Sequence, residues 1–339
     1  MLTIQNNVNL RSYNTFGIDC HAKHFTEVTS KEDIIELIQH PVFKKGPHLI
    51  LGGGSNILFT ADYPGLVIRN AIMGIDETSL DDRFVLVKVG AGENWHALVI
   101  HCLNKNYGGI ENLSLIPGSV GAAPMQNIGA YGVEIKEVIE SVEGIDLANG
   151  NVVDFSHDDC LFGYRESVFK NDLRGKYFIS SVTLRLSKKE HQLNTTYGSL
   201  KDVIDANKGA LTIHTVSDAV INIRKSKLPD PSVVGNAGSF FKNPVIDKSK
   251  FEKLKKDYST IPQYPVDNQF VKIPAAWLIE QAGFKGKQVG KAAMHDKQAL
   301  VLVNRGGATG EELLALSREV QHAVEKKFSI QLEPEVNII

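Results

Sequence analysis

One segment, residues 116–132, constrains what this chain can fold into more than any other. It reads IPGSVGAAPMQNIGAYG and holds four glycines, two prolines and no charged side chain. Glycine lets the backbone adopt positive φ and lets a ligand approach the main chain closely, whereas proline fixes φ and keeps such a loop rigid. From this segment alone, a turn between strands and a ligand-binding loop are equally consistent.

A second glycine-rich loop favours the ligand-binding alternative. The sequence LGGGSNILF covers residues 51–59 and follows an apolar run at 48–50. Two loops that expose backbone in one domain suggest a nucleotide cofactor whose phosphates are held by main-chain N–H groups. The second loop lacks the Gly-Lys-Ser/Thr of a P-loop, and a strand-like run rather than a helix follows it, so neither an NTPase nor a Rossmann dehydrogenase is supported.

Composition narrows the class of protein further. The chain has 339 residues and a formal net charge of −2, which predicts two or three domains and neither a nucleic-acid nor a membrane partner. The three cysteines, Cys20, Cys102 and Cys160, are far apart and predict free thiols in a reducing cytosol, with no metal site. The first residues do not resemble a signal peptide and no apolar run is long enough to span a bilayer, so we expect a cytoplasmic location.

Hydrophobic periodicity predicts a mixed α/β chain. Asn149-Gly150 predicts a tight hairpin turn, and Thr309 with Glu312 predicts a capping box. The predicted helices cover 31–39, 93–106, 217–227, 247–258, 274–281 and a segment from 309. The predicted strands cover 66–69, 83–89, 138–146, 152–155, 178–186, 298–304 and 330–339. A second α/β domain is expected from about residue 210.

Six sequence motifs, in order along nearly the whole chain, resemble those of the UDP-N-acetylenolpyruvoylglucosamine reductases (the MurB family). They are LGGGSN at 51–56, IPGSVG at 116–121, QNIGAYG at 126–132, FGYRES at 162–167, GNAGSFFKNP at 235–244 and LEPEV at 332–336. The resemblance implies an α+β fold: a FAD-binding domain of the vanillyl-alcohol-oxidase (PCMH) type over 1–209, with its core at about 17–188, and a smaller α/β substrate-binding domain over 210–339. The last strand of the second domain would return Glu335 to the active site.

The resemblance also implies an activity. The family reduces UDP-N-acetylglucosamine enolpyruvate to UDP-N-acetylmuramate in peptidoglycan synthesis, with bound FAD and electrons from NADPH, in the cytoplasm; we expect a monomer. Main-chain donors to the FAD pyrophosphate would come from the two glycine-rich loops, and a third stretch would lie along the flavin. The implied cofactor residues are Gly52, Gly53, Gly54, Ser55, Asn56, Ile57, Gly118, Ser119, Val120, Gly121, Ala122, Gln126, Asn127 and Gly129.

Three residues match the family's catalytic positions, and each has an ordinary alternative. Reduction places hydride on the β-carbon and a proton on the α-carbon, so charge develops on the substrate carboxylate. Arg165 offers a planar fork for that carboxylate, although it could instead be a surface arginine paired with Glu166. Ser239 would donate the proton, or would be a turn serine bonded to its own backbone. Glu335 would stand protonated beside the intermediate, or would simply face outward from a strand.

Substrate contacts are expected from five further residues. Tyr131 and Tyr197 would contact the UDP-sugar, and Tyr197 lies in a loop that only one subtype of the family carries; the alternative is two ordinary half-buried tyrosines. A cation near Ser239 could be Lys227, Lys242 or Lys285, and the motif favours Lys227. Asn243 and Lys285 would hold the nucleotide end, and His295 either lines the site or is a bonded loop histidine.

Two other functions remain open at the level of sequence. An oxidase of the same flavin fold would pass electrons to O₂, but the GSFFKNP motif and Glu335 argue against it. A module that binds a UDP-sugar without chemistry would lack Arg165, Ser239 or Glu335, and all three are present.

Overall fold

The chain forms two compact units, each assembled from separate segments. The computed structural model describes residues 2–206 and 209–339. The first unit gathers 2–8, 22–53, 64–206 and 209–226, and the second gathers 9–21, 54–63 and 227–339. These compact units do not test which segments fold independently, so the predicted domains at 1–209 and 210–339 stay a prediction.

The described residues form twenty strands and eight α-helices. The strands are β1 Gln5–Asn9, β2 His21–Val28, β3 His48–Leu51, β4 Ile57–Leu58, β5 Tyr63–Asn70, β6 Ile75–Ser79, β7 Phe84–Gly90, β8 Gly129–Ala130, β9 Val133–Glu134, β10 Ile139–Asp146, β11 Val152–Ser156, β12 Tyr177–Ser187, β13 Gly235–Ser239, β14 Val245–Asp247, β15 Tyr264–Pro265, β16 Phe270–Lys272, β17 Gln288–Val289, β18 Ala292–Met294, β19 Val301–Asn304 and β20 Asn337–Ile338. The helices are α1 Lys31–Gln39, α2 Pro41–Lys45, α3 Trp95–Asn104, α4 Gly198–Ala206, α5 Ile213–Lys227, α6 Lys248–Asp257, α7 Ala275–Gln281 and α8 Gly310–Phe328.

Two larger sheets build the first unit. One has the strand order β1-β2-β5-β3, and its pair β3–β5 is parallel. The other has the order β11-β10-β12-β7-β6 and consists of antiparallel pairs. Its core is apolar because alternate residues of β7 and β12, such as Val87 and Leu184, are buried with the inner face of α3.

The second unit has a sheet of order β13-β19-β18-β17, a small sheet of order β14-β16-β15 and the parallel pair β20–β4. Helix α8 begins at the capping box of Thr309 and Glu312, as predicted, and ends at Ser329, which adopts the left-handed conformation. The helix buries Leu313, Leu316 and Val320 among others, so the predicted apolar face is confirmed.

Several predicted boundaries shift by one to three residues, and two differ more, each for a local reason. Helix α5 starts at Ile213 rather than Ser217, because the Thr212 hydroxyl accepts a hydrogen bond from the Thr215 N–H at 3.2 Å and so caps an earlier turn. The predicted terminal strand 330–339 shrinks to β20, which leaves Glu335 in a bend. Pro334 has no N–H for a ladder and makes only an isolated bridge to Phe241.

A buried carboxylate links elements of the first unit. Glu143 on β10 is 6% exposed, and its oxygens accept hydrogen bonds from Lys31 Nζ at 2.6 Å, Lys88 Nζ at 2.9 Å and Ser180 Oγ at 2.5 Å. Burial alone would raise the pKa of Glu143, but these hydrogen bonds outweigh burial and lower the pKa to about 2. The carboxylate is therefore charged throughout the physiological range.

The cysteines agree with the sequence prediction of free thiols. Cys20, Cys102 and Cys160 are all unpaired with one another and buried. Burial is the largest cause that raises the pKa of each thiol to about 12. They therefore behave as small apolar side chains rather than as nucleophiles.

Candidate active site

The two glycine-rich loops meet in the first unit. A Cβ on Gly53 would lie 2.9 Å from Gly118 Cα, and a Cβ on Gly52 would collide with the Ser119 hydroxyl. Only glycine permits so close an approach of two main chains. We call Gly52–Gly53 with Gly118–Ala122 the glycine cradle.

Hydrogen bonds within the protein restrict which amides of the glycine cradle can face a ligand. The N–H groups of Val120, Gly121 and Ala122 already donate to the carbonyls of Glu93, Ala91 and Ser119, at 2.8 to 3.1 Å. Of the predicted donors in this loop, Gly118 and Ser119 are therefore the better placed for a phosphate. Gly54, by contrast, belongs to the second unit, where φ is +61° and a Cβ would collide with the Tyr13 carbonyl.

Arg165 and the segment predicted to lie along the flavin are brought together. Arg165 Nη2 donates to the Gly129 carbonyl at 3.1 Å, and Nη1 reaches the Asn127 carbonyl at 3.5 Å. The Asn127 side chain donates to Gly163 O and Glu134 Oε2, both at 2.9 Å. Since Asn127 is fully buried with its amide engaged in this way, it braces the loop that carries Arg165.

Four non-glycine residues around this region have a left-handed backbone. The φ angles are 59° at Leu115, 45° at Asn127, 50° at Tyr131 and 58° at Arg165. Side chains with a Cβ rarely adopt this conformation, which costs of order 1–3 kcal/mol per residue. Such strain persists where the surrounding structure imposes it, and it concentrates at functional sites.

Tyr131 and Tyr197 are in contact, as their predicted common role requires. Their ring centroids lie 5.8 Å apart in an edge-to-face arrangement. The Tyr131 carbonyl accepts a hydrogen bond from Asn112 Nδ2 at 3.0 Å, and burial raises the pKa of the Tyr131 hydroxyl. Tyr197 is 43% exposed and lies at the start of α4, where its ring is accessible to a ligand.

Sequence reasoning missed Arg224. Its Nε donates to the Leu115 carbonyl at 3.3 Å, and burial lowers the pKa of its guanidinium. No carboxylate lies within 4.0 Å of it in the described part of the chain, so no acidic side chain there neutralises its charge. The available signal was its spacing, since position 224 follows Val220 by one helical turn on the buried side of α5.

Ser239 and Glu335 are brought together in the second unit. A register shift between Asn236 and Ser239 forms a bulge where β13 pairs with β19. Ser239 is exposed at this bulge, and residues 2–206 and 209–339 provide no hydrogen bond to its hydroxyl. The N–H of half-buried Glu335 donates to the carbonyl of Phe240, the residue after Ser239, at 2.8 Å. A turn serine bonded to its own backbone is therefore not what this segment contains.

The remaining predicted residues all belong to the second unit. Lys285 pairs with Glu280 at 2.9 Å and Lys242 with Glu333 at 3.5 Å, whereas Lys227 has no carboxylate within 4.0 Å among the described residues. Asn243 Oδ1 accepts the N–H of Ala275 at 2.9 Å, at the start of α7. His295 Nδ1 accepts the Gln298 N–H at 3.3 Å, which matches the bonded loop histidine.

A groove of about 990 Å³ on the first unit is separate from all of these residues. In it the Arg185 guanidinium stacks 4.4 Å from the Phe84 ring centroid, and Arg83 pairs with Glu190 at 3.2 Å. None of the predicted cofactor, catalytic or substrate residues lines it. Residues 2–206 and 209–339 contain no group of three or more His, Cys, Asp or Glu placed to hold a metal ion.

The first comparison with known proteins defines a class. A family model described as FAD binding domain matches residues 22–156, a range that contains the whole glycine cradle. The chain is thus a FAD-binding protein, and the predicted mixed α and β flavin domain is confirmed. No helix in the part of the chain that the structure describes is both long and apolar enough to cross a membrane.

The second comparison defines the family. A model described as UDP-N-acetylenolpyruvoylglucosamine reductase, C-terminal domain, matches residues 230–339. Proteins named UDP-N-acetylenolpyruvoylglucosamine reductase from Amoebophilus asiaticus and Flavobacterium johnsoniae are each 48% identical over 339 residues, which is 100% of both chains. The crystal structure of the Thermus caldophilus reductase superposes with a TM-score of 0.70 at 25% identity, and covers 100% of this chain and 99% of its own. This chain belongs to the UDP-N-acetylenolpyruvoylglucosamine reductase family, as the sequence motifs indicated.

Proposed function

We propose that this chain reduces UDP-N-acetylglucosamine enolpyruvate to UDP-N-acetylmuramate, with electrons that pass from NADPH through bound FAD. The support is its membership of the reductase family over the full length and its FAD-binding domain. The step belongs to peptidoglycan synthesis. We further propose that the protein works as a monomer in the cytoplasm.

The glycine cradle fits a dinucleotide cofactor. Its two main chains approach so closely that a single Cβ at Gly53 would disturb them, and backbone amides are the usual donors to a pyrophosphate. Main-chain amides of Gly53–Ile57 and of Gly118 and Ser119 would hold the FAD pyrophosphate. Val120–Ala122, whose amides bond within the protein, would shape that loop, and Gln126–Gly129 would border the flavin. Bound FAD would supply the hydride chemistry, which no amino-acid side chain can provide.

Arg165 is the proposed partner of the substrate carboxylate. Its guanidinium is half-buried and oriented by the carbonyls of Asn127 and Gly129, so little side-chain entropy remains to be lost on binding. As hydride reaches the β-carbon, negative charge moves onto the carboxylate, and a fixed fork of donors stabilises that charge. Arg224, which has no carboxylate of its own among the described residues, is a second candidate for an anionic group of the substrate.

Ser239 is the proposed acid for the α-carbon. The observation that carries this assignment is that its exposed hydroxyl makes no hydrogen bond in the described chain while Glu335 is bonded to the next residue. The hydroxyl would give its proton to the α-carbon and be left as an alkoxide, which takes a proton back from water. A hydroxyl is a weak acid, so a cation is needed. Of the three candidate lysines, Lys227 is the one with no carboxylate within 4.0 Å among residues 2–206 and 209–339. Glu335, whose N–H donates to the Phe240 carbonyl, would face the same developing charge.

Two measurements test the proposal. Absorbance of the purified protein in the flavin bands separates a flavoenzyme from a module that only binds a UDP-sugar. NADPH oxidation is then followed with and without the enolpyruvyl sugar, with O₂ consumption recorded in parallel. We expect oxidation to depend on the sugar and to yield UDP-N-acetylmuramate; oxidation driven by O₂ alone would contradict the reductase assignment.

A further inference from the structure

Glu335 is held in a bend whose backbone geometry is not set by a regular ladder. Pro334 before it makes only an isolated bridge to Phe241, and β20 begins two residues after it. In a regular strand the ladder would fix the direction of the Glu335 side chain. Here two bonds to the peptide groups of Glu335 hold the backbone from which its side chain extends.

Two hydrogen bonds hold those peptide groups from opposite ends. The Glu335 N–H donates to Phe240 O at 2.8 Å, which ties it to the Ser239 segment. The Glu335 carbonyl accepts a hydrogen bond from Asn56 Nδ2 at 3.2 Å. Asn56 lies 279 positions away in sequence, yet within the same compact unit.

The main chain of Asn56 makes a separate connection to the same terminal segment. Its carbonyl accepts hydrogen bonds from Asn337 N at 3.1 Å and from Asn337 Nδ2 at 3.0 Å, next to the parallel pair of β20 and β4. Any substitution at Asn56 keeps this main-chain acceptor. The side-chain bond to Glu335 can therefore be removed while the strand pairing is retained.

We propose that Asn56 is a positioning residue for Glu335, which it orients through the hydrogen bond from its side-chain amide to the Glu335 carbonyl. The inference rests on the proposed function, because it assigns a purpose to the orientation of Glu335. It differs from the cofactor role that the LGGGSN motif implies for this residue. The loop that follows the glycine cradle thus also sets the catalytic geometry of the second unit.

The chemistry of asparagine suits this role. Its amide is a donor on a short side chain, so the bond reaches one peptide group with little freedom. Aspartate has the same shape but cannot donate when ionised, and its charge would repel the Glu335 carbonyl. Misplacement of a catalytic group by about 1 Å can cost roughly a hundredfold in rate.

The experiment uses the FAD-loaded full chain with Asn56→Asp and Asn56→Ala, and measures the two half-reactions by rapid mixing. We expect reoxidation of the reduced protein by the enolpyruvyl sugar to slow by roughly ten- to a hundredfold. Rates are normalised to flavin content, and reduction by NADPH should slow at least about fivefold less than reoxidation, because Glu335 takes part only in the reoxidation. In a Glu335→Gln background, Asn56→Ala should add less than about twofold, since residues that act through one another are not additive.

Thr60→Val is the matched control. Thr60 Oγ donates to the Ile339 carbonyl at 2.7 Å, so this substitution also removes one side-chain bond to the terminal segment, but away from Glu335. It should lower the melting temperature about as much as Asn56→Ala and leave reoxidation unchanged. If Thr60→Val slowed reoxidation as much as Asn56→Ala, the effect would reflect general anchoring of the terminal segment rather than positioning of Glu335, and the proposal would fail.

Three further results would overturn the proposal. Equal slowing of reduction by NADPH and of reoxidation in the Asn56 variants would show that Asn56 acts on the cofactor alone. Multiplicative losses with Glu335→Gln would show that the two residues act independently, and normal reoxidation in both variants would show that the bond has no kinetic role. If the wild-type protein itself fails to be reoxidised by the sugar, the proposed function fails, and that outcome is visible before any variant is made.

Discussion

Replacing Glu143 by glutamine tests whether a buried ion cluster stabilises the first unit. The pKa of this carboxyl falls from its ordinary 4.5 to about 2, and each tenfold change in an ionisation constant corresponds to ~1.36 kcal/mol. The full linkage would be ~3 kcal/mol. Lys31 and Lys88 are 38% and 46% exposed, so solvent screens part of the interaction and we expect a loss of about 2 kcal/mol.

The sign of the pH dependence follows from the depressed pKa. The contribution of Glu143 is fully present above the unfolded value of about 4.5 and disappears as the pH falls towards 2. Urea unfolding of wild type and Glu143→Gln, both saturated with FAD, should therefore differ by about 2 kcal/mol at neutral pH and progressively less in acid. In thermal unfolding of this 339-residue chain the difference corresponds to roughly 3 °C.

Glu27→Gln is the control, because Glu27 pairs with Arg69 at 2.6 Å but both side chains are about 40% exposed. This surface pair should contribute less than about 1 kcal/mol. An equal loss in the two variants, or a Glu143→Gln difference that stays constant down to about pH 3, would refute the reasoning.

Four predictions concern the site. Ser239→Ala should keep FAD and its reduction by NADPH but slow reoxidation by the enolpyruvyl sugar by roughly 10²–10⁴-fold, with partial recovery in Ser239→Cys; stopped-flow traces in which both halves slow equally would make Ser239 structural. Arg165→Lys should lower kcat by at least about tenfold with FAD still bound, because the planar pair of donors is lost, and near-normal turnover would return Arg165 to a surface pair. Gly53→Ala should weaken FAD binding by about tenfold or more in fluorescence titration, because its Cβ meets Gly118 Cα at 2.9 Å, whereas Gly46→Ala, with nothing within 4 Å, should not; equal affinities would argue against the cradle. Steady-state kinetics should show parallel double-reciprocal lines with inhibition at high sugar, and intersecting lines would count against one pocket shared by NADPH and the sugar.

Local chemistry made much of the fold predictable. The spacing of Trp95, Leu98 and Cys102 predicts one buried face, and all three are buried in α3. Helix α8 begins where its capping box indicates, because Thr309 and Glu312 satisfy each other within four residues. The strand predicted over 330–339 is mostly absent. An alternating pattern of apolar residues indicates which side chains can be buried but not which strand pairs with the segment, and Pro334 cannot donate to a ladder.

Motifs supply a list of candidate site residues, which stays a prediction, but they do not supply the arrangement of those residues. Motifs identified Ser239 and Glu335, yet the bond from Glu335 to Phe240 joins segments that no local pattern connects. The meeting of Gly53 with Gly118 likewise depends on the packing of the first unit. Arg224 was missed because the feature that makes it a candidate, the absence of a nearby carboxylate among the described residues, is visible only in the folded structure.

The left-handed backbone at Tyr131 and Arg165 has a consequence for anyone who engineers this protein. Both positions have φ near +50°, where glycine is relaxed and any other residue is strained by of order 1 kcal/mol. A search for heat-resistant variants that scores only survival of the fold will therefore favour glycine at these two positions. Such variants would be more stable but would lack the side chains proposed to hold the substrate. Selection for thermal stability and selection for turnover thus favour different residues at Tyr131 and Arg165. A library aimed at both properties must keep these two codons fixed.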